Sequence, residues 1–255
     1  SDCKITLDDR DYDGKAASQL VSYLAGLDFV RLDRPGDPRV GMVGGSYGGQ
    51  VQFAVAGIDR RVDTIVPLIT WNDLTYSLLP NNTSLHRGTV TPQTEGVYKF
   101  AWSTFFFAAG ILAGVDHLEG DPGRIAPCPN FDDRICAGKV QLDATGTPNS
   151  AILFALRHAS VASFIDRIRI PTFLIQGQAD TLFNLQEAAA TYRALKEAGV
   201  PVKMAWQRGG HSGPQAKGEL DLDLSEPTHL GSEIAAWFDH YLKDDPRAPS
   251  LDFTF

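Results

Sequence analysis

The chain is poor in cysteine: three among 255 residues, and no C-x-x-C pair. That excludes a disulfide-stapled scaffold and leaves no ligand pattern for a structural zinc. Positive charge is also short. Twenty-three Lys and Arg face 31 Asp and Glu, a net charge of −8, which argues against nucleic acid or an anionic membrane as partner. No apolar run has the length of a membrane span. The stretch Phe105-Phe106-Phe107-Ala108-Ala109-Gly110-Ile111-Leu112-Ala113 is too short and reads as a buried helix. There is no internal repeat and no low-complexity tract. The opening residues, Ser1-Asp2-Cys3-Lys4, hold no start methionine and no leader-like run, so they do not report on targeting. What is present is 43% hydrophobic and 21% charged residues, enough to bury a core as one large domain or two small ones.

The most informative segment is Gly44-Gly45-Ser46-Tyr47-Gly48, a G-x-S-x-G pentapeptide entered from the apolar run Val40-Gly41-Met42-Val43. This is the layout of a nucleophile elbow: a strand delivers a serine to a turn so tight that its neighbours must be small, and a helix, expected over Tyr47–Ala56, leads away. Such a turn exposes the hydroxyl and aims the Tyr47 N–H and the helix N-terminus at a developing oxyanion. A glycine-rich turn that binds phosphate or simply packs closely is the plain alternative. No lysine stands where a phosphate-binding loop would need one.

Along the chain, Tyr12–Leu27 has helical spacing of Ala16, Leu20, Tyr23, Leu24 and Leu27, and these predict its inward face. Asp37–Gly44 is expected to be the strand into the elbow, and Arg61–Thr70 a second buried strand. Strand–helix–strand order implies a parallel sheet with right-handed crossovers. From Trp71 to about Phe164 this rhythm stops, and aromatics and prolines replace it. An insertion there is expected to cap the active site. Trp71, Trp102 and Phe183 are the candidates for an apolar substrate pocket, although rings in such a segment can equally form its own core. The rhythm resumes with a strand at Ile170–Gln176, and a helix capped by an Asn184/Glu187 capping box runs to Gly199. A strand over Val200–Trp206 and a last helix over Thr228–Leu242, with Ile234, Trp237, Phe238 and Tyr241 on one face, complete the set.

An elbow serine needs a base and an acid, in the order Ser, Asp, His. Asp180 follows one strand and His211 the next, so both fall at the sheet edge that presents Ser46. In these roles Ser46 attacks, His211 carries the proton, and Asp180 orients the imidazole. Taken singly, Asp180 also suits a turn and His211 a surface loop. Cys128 and Cys136 bracket a polar, proline-containing loop. They are either unrelated thiols or a disulfide, and the loop composition favours the disulfide, which would imply an exported protein.

With these segments in view the chain resembles the X-Pro dipeptidyl-peptidase/cocaine-esterase family of α/β-hydrolases. The resemblance rests on Gly44-Gly45-Ser46-Tyr47-Gly48-Gly49, Ile69-Thr70-Trp71-Asn72-Asp73-Leu74, Gln176-Gly177-Gln178-Ala179-Asp180-Thr181-Leu182-Phe183-Asn184 and Gly210-His211-Ser212-Gly213, and covers about Asp9 to Asp245. It implies an α/β-hydrolase fold, a mostly parallel sheet flanked by helices with a helical cap. The core would span 1–70 and 165–247 and the cap 71–164. It also implies cleavage of acyl esters or X-Pro peptides by Ser46, Asp180 and His211, with no cofactor and no metal. Two features depart from the family. The strands that usually precede the elbow strand, one of which supplies a tyrosine hydroxyl to the oxyanion hole, have no counterpart. Residues 248–255 resemble only the opening of a C-terminal jelly-roll domain. The chain therefore reads as an internal piece whose sheet other segments, or a companion chain, complete. A hydrolase-like domain that binds acyl ligands without turnover is the alternative. Recognition of a substrate N-terminus would call on cap carboxylates such as Asp73, Asp116 or Glu119.

Overall fold

The computed structural model describes residues 4–79, 98–115, 128, 130–220 and 228–255. In chain order the elements are α1 (Asp13–Leu24), β1 (Leu32–Arg34), β2 (Asp37–Pro38), β3 (Val40–Gly45), α2 (Tyr47–Ala56) and β4 (Val62–Leu68). There follow α3 (Leu74–Leu78), α4 (Phe100–Val115), α5 (Asp133–Thr145) and α6 (Ser150–His158), then β5 (Thr172–Gly177), α7 (Leu185–Glu197), β6 (Val202–Gln207) and α8 (His229–Lys243). They group into two compact units, one of residues 8–72 with 161–255 and one of residues up to 7 with 73–160. Among the described residues no helix is long and apolar enough to cross a membrane.

The first unit is built on a parallel sheet in the order β3-β4-β5-β6. Its inner strands are buried along nearly their whole length, every residue of β5 and six of seven in β4, as expected of parallel strands covered on both faces. Side chains of alternating parity feed two cores. Ile65, Leu174 and Val202 pack with Phe53 and Val55 of α2 and Val21 of α1. Val66, Leu68, Phe173 and Ile175 pack with Leu230, Ile234 and Trp237 of α8. The predicted face of the last helix is the one used, and Trp237 donates its indole N–H to Thr64 Oγ1 at 2.7 Å. Thr254 bridges to Ala205, so the chain end lies along the outer side of β6.

Three expectations need correction. The run Asp37–Gly44 is not one strand: Asp37 and Pro38 pair antiparallel with β1, and the Arg39 N–H turns to the Arg31 carbonyl at 2.9 Å. In α1 the inward face is Gly14, Ala17 and Val21, while Leu20 and Tyr23 are about two-thirds exposed. The reason is proximity. A Cβ on Gly14 would lie 3.0 Å from the Ala54 carbonyl oxygen, so α1 meets α2 through its small residues and not its large ones. The third correction concerns the apolar segment 105–113, which is expected to be buried.

That segment belongs to the second unit, where it forms part of α4. Phe107 stacks on Phe131 at 4.0 Å between ring centroids, and Gly110 leaves room for the same ring. Phe100, Phe105 and Leu112 are more than half exposed. A helix apolar all round needs cover on every side, and among the described residues only one side has it. Helices α5 and α6 begin on side-chain caps from Asp132 and Asn149. Cys128 and Cys136 are bonded, with Cα atoms 5.7 Å apart.

Candidate active site

Strand β3 ends in a turn centred on Ser46, whose φ and ψ are 57° and −118°. A non-glycine residue in that region is strained by roughly 1–3 kcal/mol and persists only where its surroundings hold it. Two restraints do so here. The Ser46 N–H donates to the Leu68 carbonyl at 2.9 Å, and the Ser46 carbonyl accepts from the N–H groups of Gly49 and Gln50 at 2.9 and 3.0 Å. The serine is thereby tied to β4 and to the first turn of α2 together. The glycine at 44 is obligatory by close approach, because a Cβ there would meet the Gly48 carbonyl oxygen at 2.9 Å. Helix α2 begins at Tyr47, and the N–H groups of Tyr47 and Gly48 precede the bonds to the Ser46 carbonyl, so they are the first-turn donors without a helical acceptor.

Asp180 and His211 arrive from the loops after β5 and β6, adjacent strands of the same parallel sheet. His211 Nε2 lies 2.7 Å from Ser46 Oγ, and His211 Nδ1 lies 2.7 Å from Asp180 Oδ2. The three groups form one continuous chain. Asp180 is held on both oxygens: Oδ1 accepts the N–H groups of Leu182 and Phe183 at 2.8 Å each, and Oδ2 also accepts the His211 N–H at 3.0 Å. Burial alone would raise its pKa, but His211 and these backbone donors outweigh that and hold it below the ordinary carboxylate value. Gly210 lets the two loops meet, because a Cβ there would lie 2.7 Å from that of Asp180.

Several residues that sequence reasoning missed support this arrangement. Gln52, fully buried in α2, clamps the elbow. Its Nε2 donates to the carbonyls of Gly48 at 2.6 Å and Gly44 at 3.3 Å, while its Oε1 accepts the Val66 N–H at 3.1 Å. Thr181 and Ser212 join their hydroxyls at 2.5 Å, clasping the loop of Asp180 to that of His211. Gln176 Nε2 donates to the Phe183 carbonyl at 2.6 Å. Glu187 reaches beyond its own helix. The Asn184 side chain caps α7 by accepting the Gln186 N–H, and the buried Glu187 carboxylate accepts the Asn72 N–H at 2.6 Å and so anchors the segment after Trp71.

Around the histidine runs a chain of rings. Tyr47 meets Trp71 edge-on at 5.6 Å, Trp71 meets Phe183 at 5.0 Å, and Phe183 meets the His211 ring edge-on at 5.2 Å. Trp71 and Phe183 are 1% and 4% exposed, so they act as packed walls behind the Ser46–His211–Asp180 chain more than as open lining. Trp102 lies on α4 in the other unit, stacked on Phe106 at 5.8 Å. The Asp73 carboxylate caps α3, accepting the Thr75 N–H at 2.8 Å and the Tyr76 N–H at 3.4 Å. Asp116 and Glu119 lie outside the described residues.

A four-stranded parallel sheet between helices, with a serine on the elbow after one strand and a histidine and aspartate after two others, defines the α/β-hydrolase fold. Solved structures with a TM-score above 0.5 agree on the fold. A CocE/NonD family hydrolase from Staphylococcus aureus matches over 92% of this chain and 33% of its own, at 16% identity and a TM-score of 0.52. A 2,6-dihydroxy-pseudo-oxynicotine hydrolase matches over 95% of this chain and 50% of its own, at 17% identity and a TM-score of 0.51. An acylaminoacyl peptidase from Pyrococcus horikoshii shares 14% identity over 84% of this chain and 26% of its own, with a TM-score of 0.47. The chain thus spans a quarter to a half of the length of these structures. No family model and no curated protein matches it.

Proposed function

We propose that the protein is a serine hydrolase that cleaves an acyl ester or an X-Pro-type peptide through an acyl-enzyme. The observation that carries this reading is the unbroken Asp180–His211–Ser46 chain, with 2.7 Å at both imidazole contacts. His211 Nε2 takes the Ser46 proton as Oγ attacks the acyl carbon, and returns it to the leaving alkoxide or amine. Water then repeats the sequence to release the acid. Asp180 holds the Nδ1–H tautomer and stabilises the imidazolium. The Tyr47 N–H, at the start of α2, is the donor assigned to the oxyanion. No metal or cofactor enters these steps. The disulfide between Cys128 and Cys136 supports an exported protein.

One observation favours the second reading, an acyl-binding domain without turnover. Among the described residues β3 is an edge strand, and Val43 on it is 45% exposed. In this fold the second oxyanion donor comes from a loop elsewhere in the sheet. We place that donor on polypeptide that pairs along β3, from this protein's own further chain or from a companion. An unpaired apolar edge would otherwise template aggregation. Turnover of p-nitrophenyl acetate and butyrate beside Ala-Pro-p-nitroanilide tests the proposal. Hydrolysis of either class that is lost in Ser46→Ala supports it. Ester and peptide both left intact by a folded protein that still binds acyl ligands favours the second reading.

A further inference from the structure

His211 sits in a loop that glycine loosens. The segment Gly209-Gly210-His211-Ser212-Gly213 holds three glycines in five residues, and Gly210 and Gly213 have φ of 154° and 76°, values that side-chain-bearing residues rarely adopt. Contact requires glycine there as well: a Cβ on Gly213 would lie 2.6 Å from that of Ala179, in the loop that carries Asp180. The same freedom that lets the two loops interleave leaves this one few restraints of its own. Yet both ring nitrogens of His211 must be held at 2.7 Å from partners on different loops, Ser46 after β3 and Asp180 after β5.

Backbone bonds join the two loops near the sheet. The Gln178 N–H donates to the Gln207 carbonyl at 2.7 Å and the Ala179 N–H to the Arg208 carbonyl at 3.1 Å, so the β5–β6 pairing continues past the strands. Farther out, side chains take over. Asp180 meets His211, and one residue on in each loop Thr181 Oγ1 meets Ser212 Oγ at 2.5 Å. A single hydrogen bond between two loops is a pivot; a second, from the next residue of each, resists rotation about it. Thr181 is exposed and Ser212 half-buried, so water competes for both hydroxyls and their bond adds little to the stability of the fold. We propose that Thr181 and Ser212 are positioning residues whose hydroxyl–hydroxyl bond locks the His211 loop against the Asp180 loop and keeps the imidazole within reach of Ser46. Neither hydroxyl takes part in the chemistry. In its consequence for rate, this inference rests on the hydrolase reading. A loosened imidazole spends less time in line with Ser46 Oγ, which slows the chemical step and leaves substrate binding nearly unchanged.

The test is a double-mutant cycle with two readouts. Thr181→Val keeps the shape of its side chain and removes the hydroxyl, and Ser212→Ala does the same for its partner. Either variant should hydrolyse p-nitrophenyl acetate with kcat lowered about tenfold and KM within about twofold of wild type. The double variant should be no slower than the slower single one, because both changes remove the same bond. Thr181→Ser restores the hydroxyl and should bring kcat back to within about twofold of wild type. The second readout needs no turnover. The His211 ring is largely buried and engaged at both nitrogens, so diethyl pyrocarbonate should modify it slowly in wild type. In Thr181→Val and in Ser212→Ala that modification, mapped by mass spectrometry, should be at least about threefold faster, with the rate at His240 unchanged as the sign that the fold is intact. If folded wild type hydrolyses no ester, the hydrolase reading fails and the modification rate alone decides the positioning role. In an active protein, unchanged kcat, losses that multiply in the double variant, or no recovery in Thr181→Ser overturns the proposal. With or without turnover, an unchanged rate of modification at His211 overturns it.

Discussion

Replacing Asp8 by Asn should change how stability depends on pH, and the size of the effect can be worked through. The carboxyl is raised from 3.8 to about 8, first by burial and second by Asp13. Between those values the folded state keeps a proton that the unfolded chain has lost. Stability therefore falls with rising pH, by about 1.4 kcal/mol per pH unit while the difference in bound protons is near one. The raised acid costs nothing below about pH 4 and its full penalty above about pH 8. Over about 4 pH units the total reaches roughly 5 kcal/mol, an upper bound because local opening would let water reach the acid. Asp180 and Asp59 act in the opposite sense. Their carboxyls are lowered, so their stabilisation is present at neutral pH and lost as pH falls through their folded values, about 2 for Asp59, below the window in which Asp8 acts. Urea denaturation of wild type and Asp8→Asn at half-unit steps from pH 4.5 to 8.5 measures the difference. The two proteins should be nearly equal at the acid end, with the variant progressively more stable toward pH 8. Parallel pH profiles would show that Asp8 is solvated or already paired.

Gln52→Leu removes the elbow clamp and strands the Val66 N–H and the Gly48 carbonyl. It should cost about 2–4 kcal/mol in chemical denaturation and lower turnover more than substrate affinity; an unchanged midpoint would show that the clamp is dispensable. Asp180→Asn should keep the fold but lower the ester rate on the order of 10³–10⁴-fold, because the amide favours the wrong imidazole tautomer; a rate near wild type would remove Asp180 from the mechanism. Mass spectrometry of unreduced peptides should find Cys128 linked to Cys136, and replacing both by Ser should destabilise the unit that holds them by about 2–3 kcal/mol, the entropy of a loop this short; alkylation of both thiols without reduction would refute the link.

The hydrogen-bonded chain of Ser46, His211 and Asp180 was legible because its signals are tied to strand ends. The parallel sheet puts the residues after β3, β5 and β6 at one edge, so chain order and loop position were enough to bring Ser46, Asp180 and His211 together. The face of α1 was not legible. Helical periodicity marked Leu20 and Tyr23 as inward, but contact with α2 is decided by how closely two backbones approach, and there Gly14 and Ala17 win. The strand break at Arg39 was hidden for a related reason. A short hairpin with β1 competes for Asp37 and Pro38, and that pairing is long-range information.

Buried polar residues were the other blind spot. Gln52 sits in a helical run where a glutamine normally reads as surface, and only the carbonyls converging on it reveal its role. Glu187 stands at the capping-box position, and that spacing could not show that its carboxylate reaches Asn72, more than a hundred residues away in sequence. Asp8 drew no attention among the acids of Asp8-Asp9-Arg10-Asp11. Its distinction is depth, not spacing.

Covalent labelling with a fluorophosphonate tests the central claim most directly, since phosphonylation requires a serine whose proton an adjacent base can take. The protein, folded by circular dichroism, is incubated with the probe at pH 7.5 and digested, and the adduct is located by mass spectrometry. A single adduct on Ser46, lost in Ser46→Ala and slowed at least about 100-fold in His211→Ala, is the predicted result. An unlabelled Ser46 in the folded protein, or labelling that His211→Ala leaves unchanged, would contradict it.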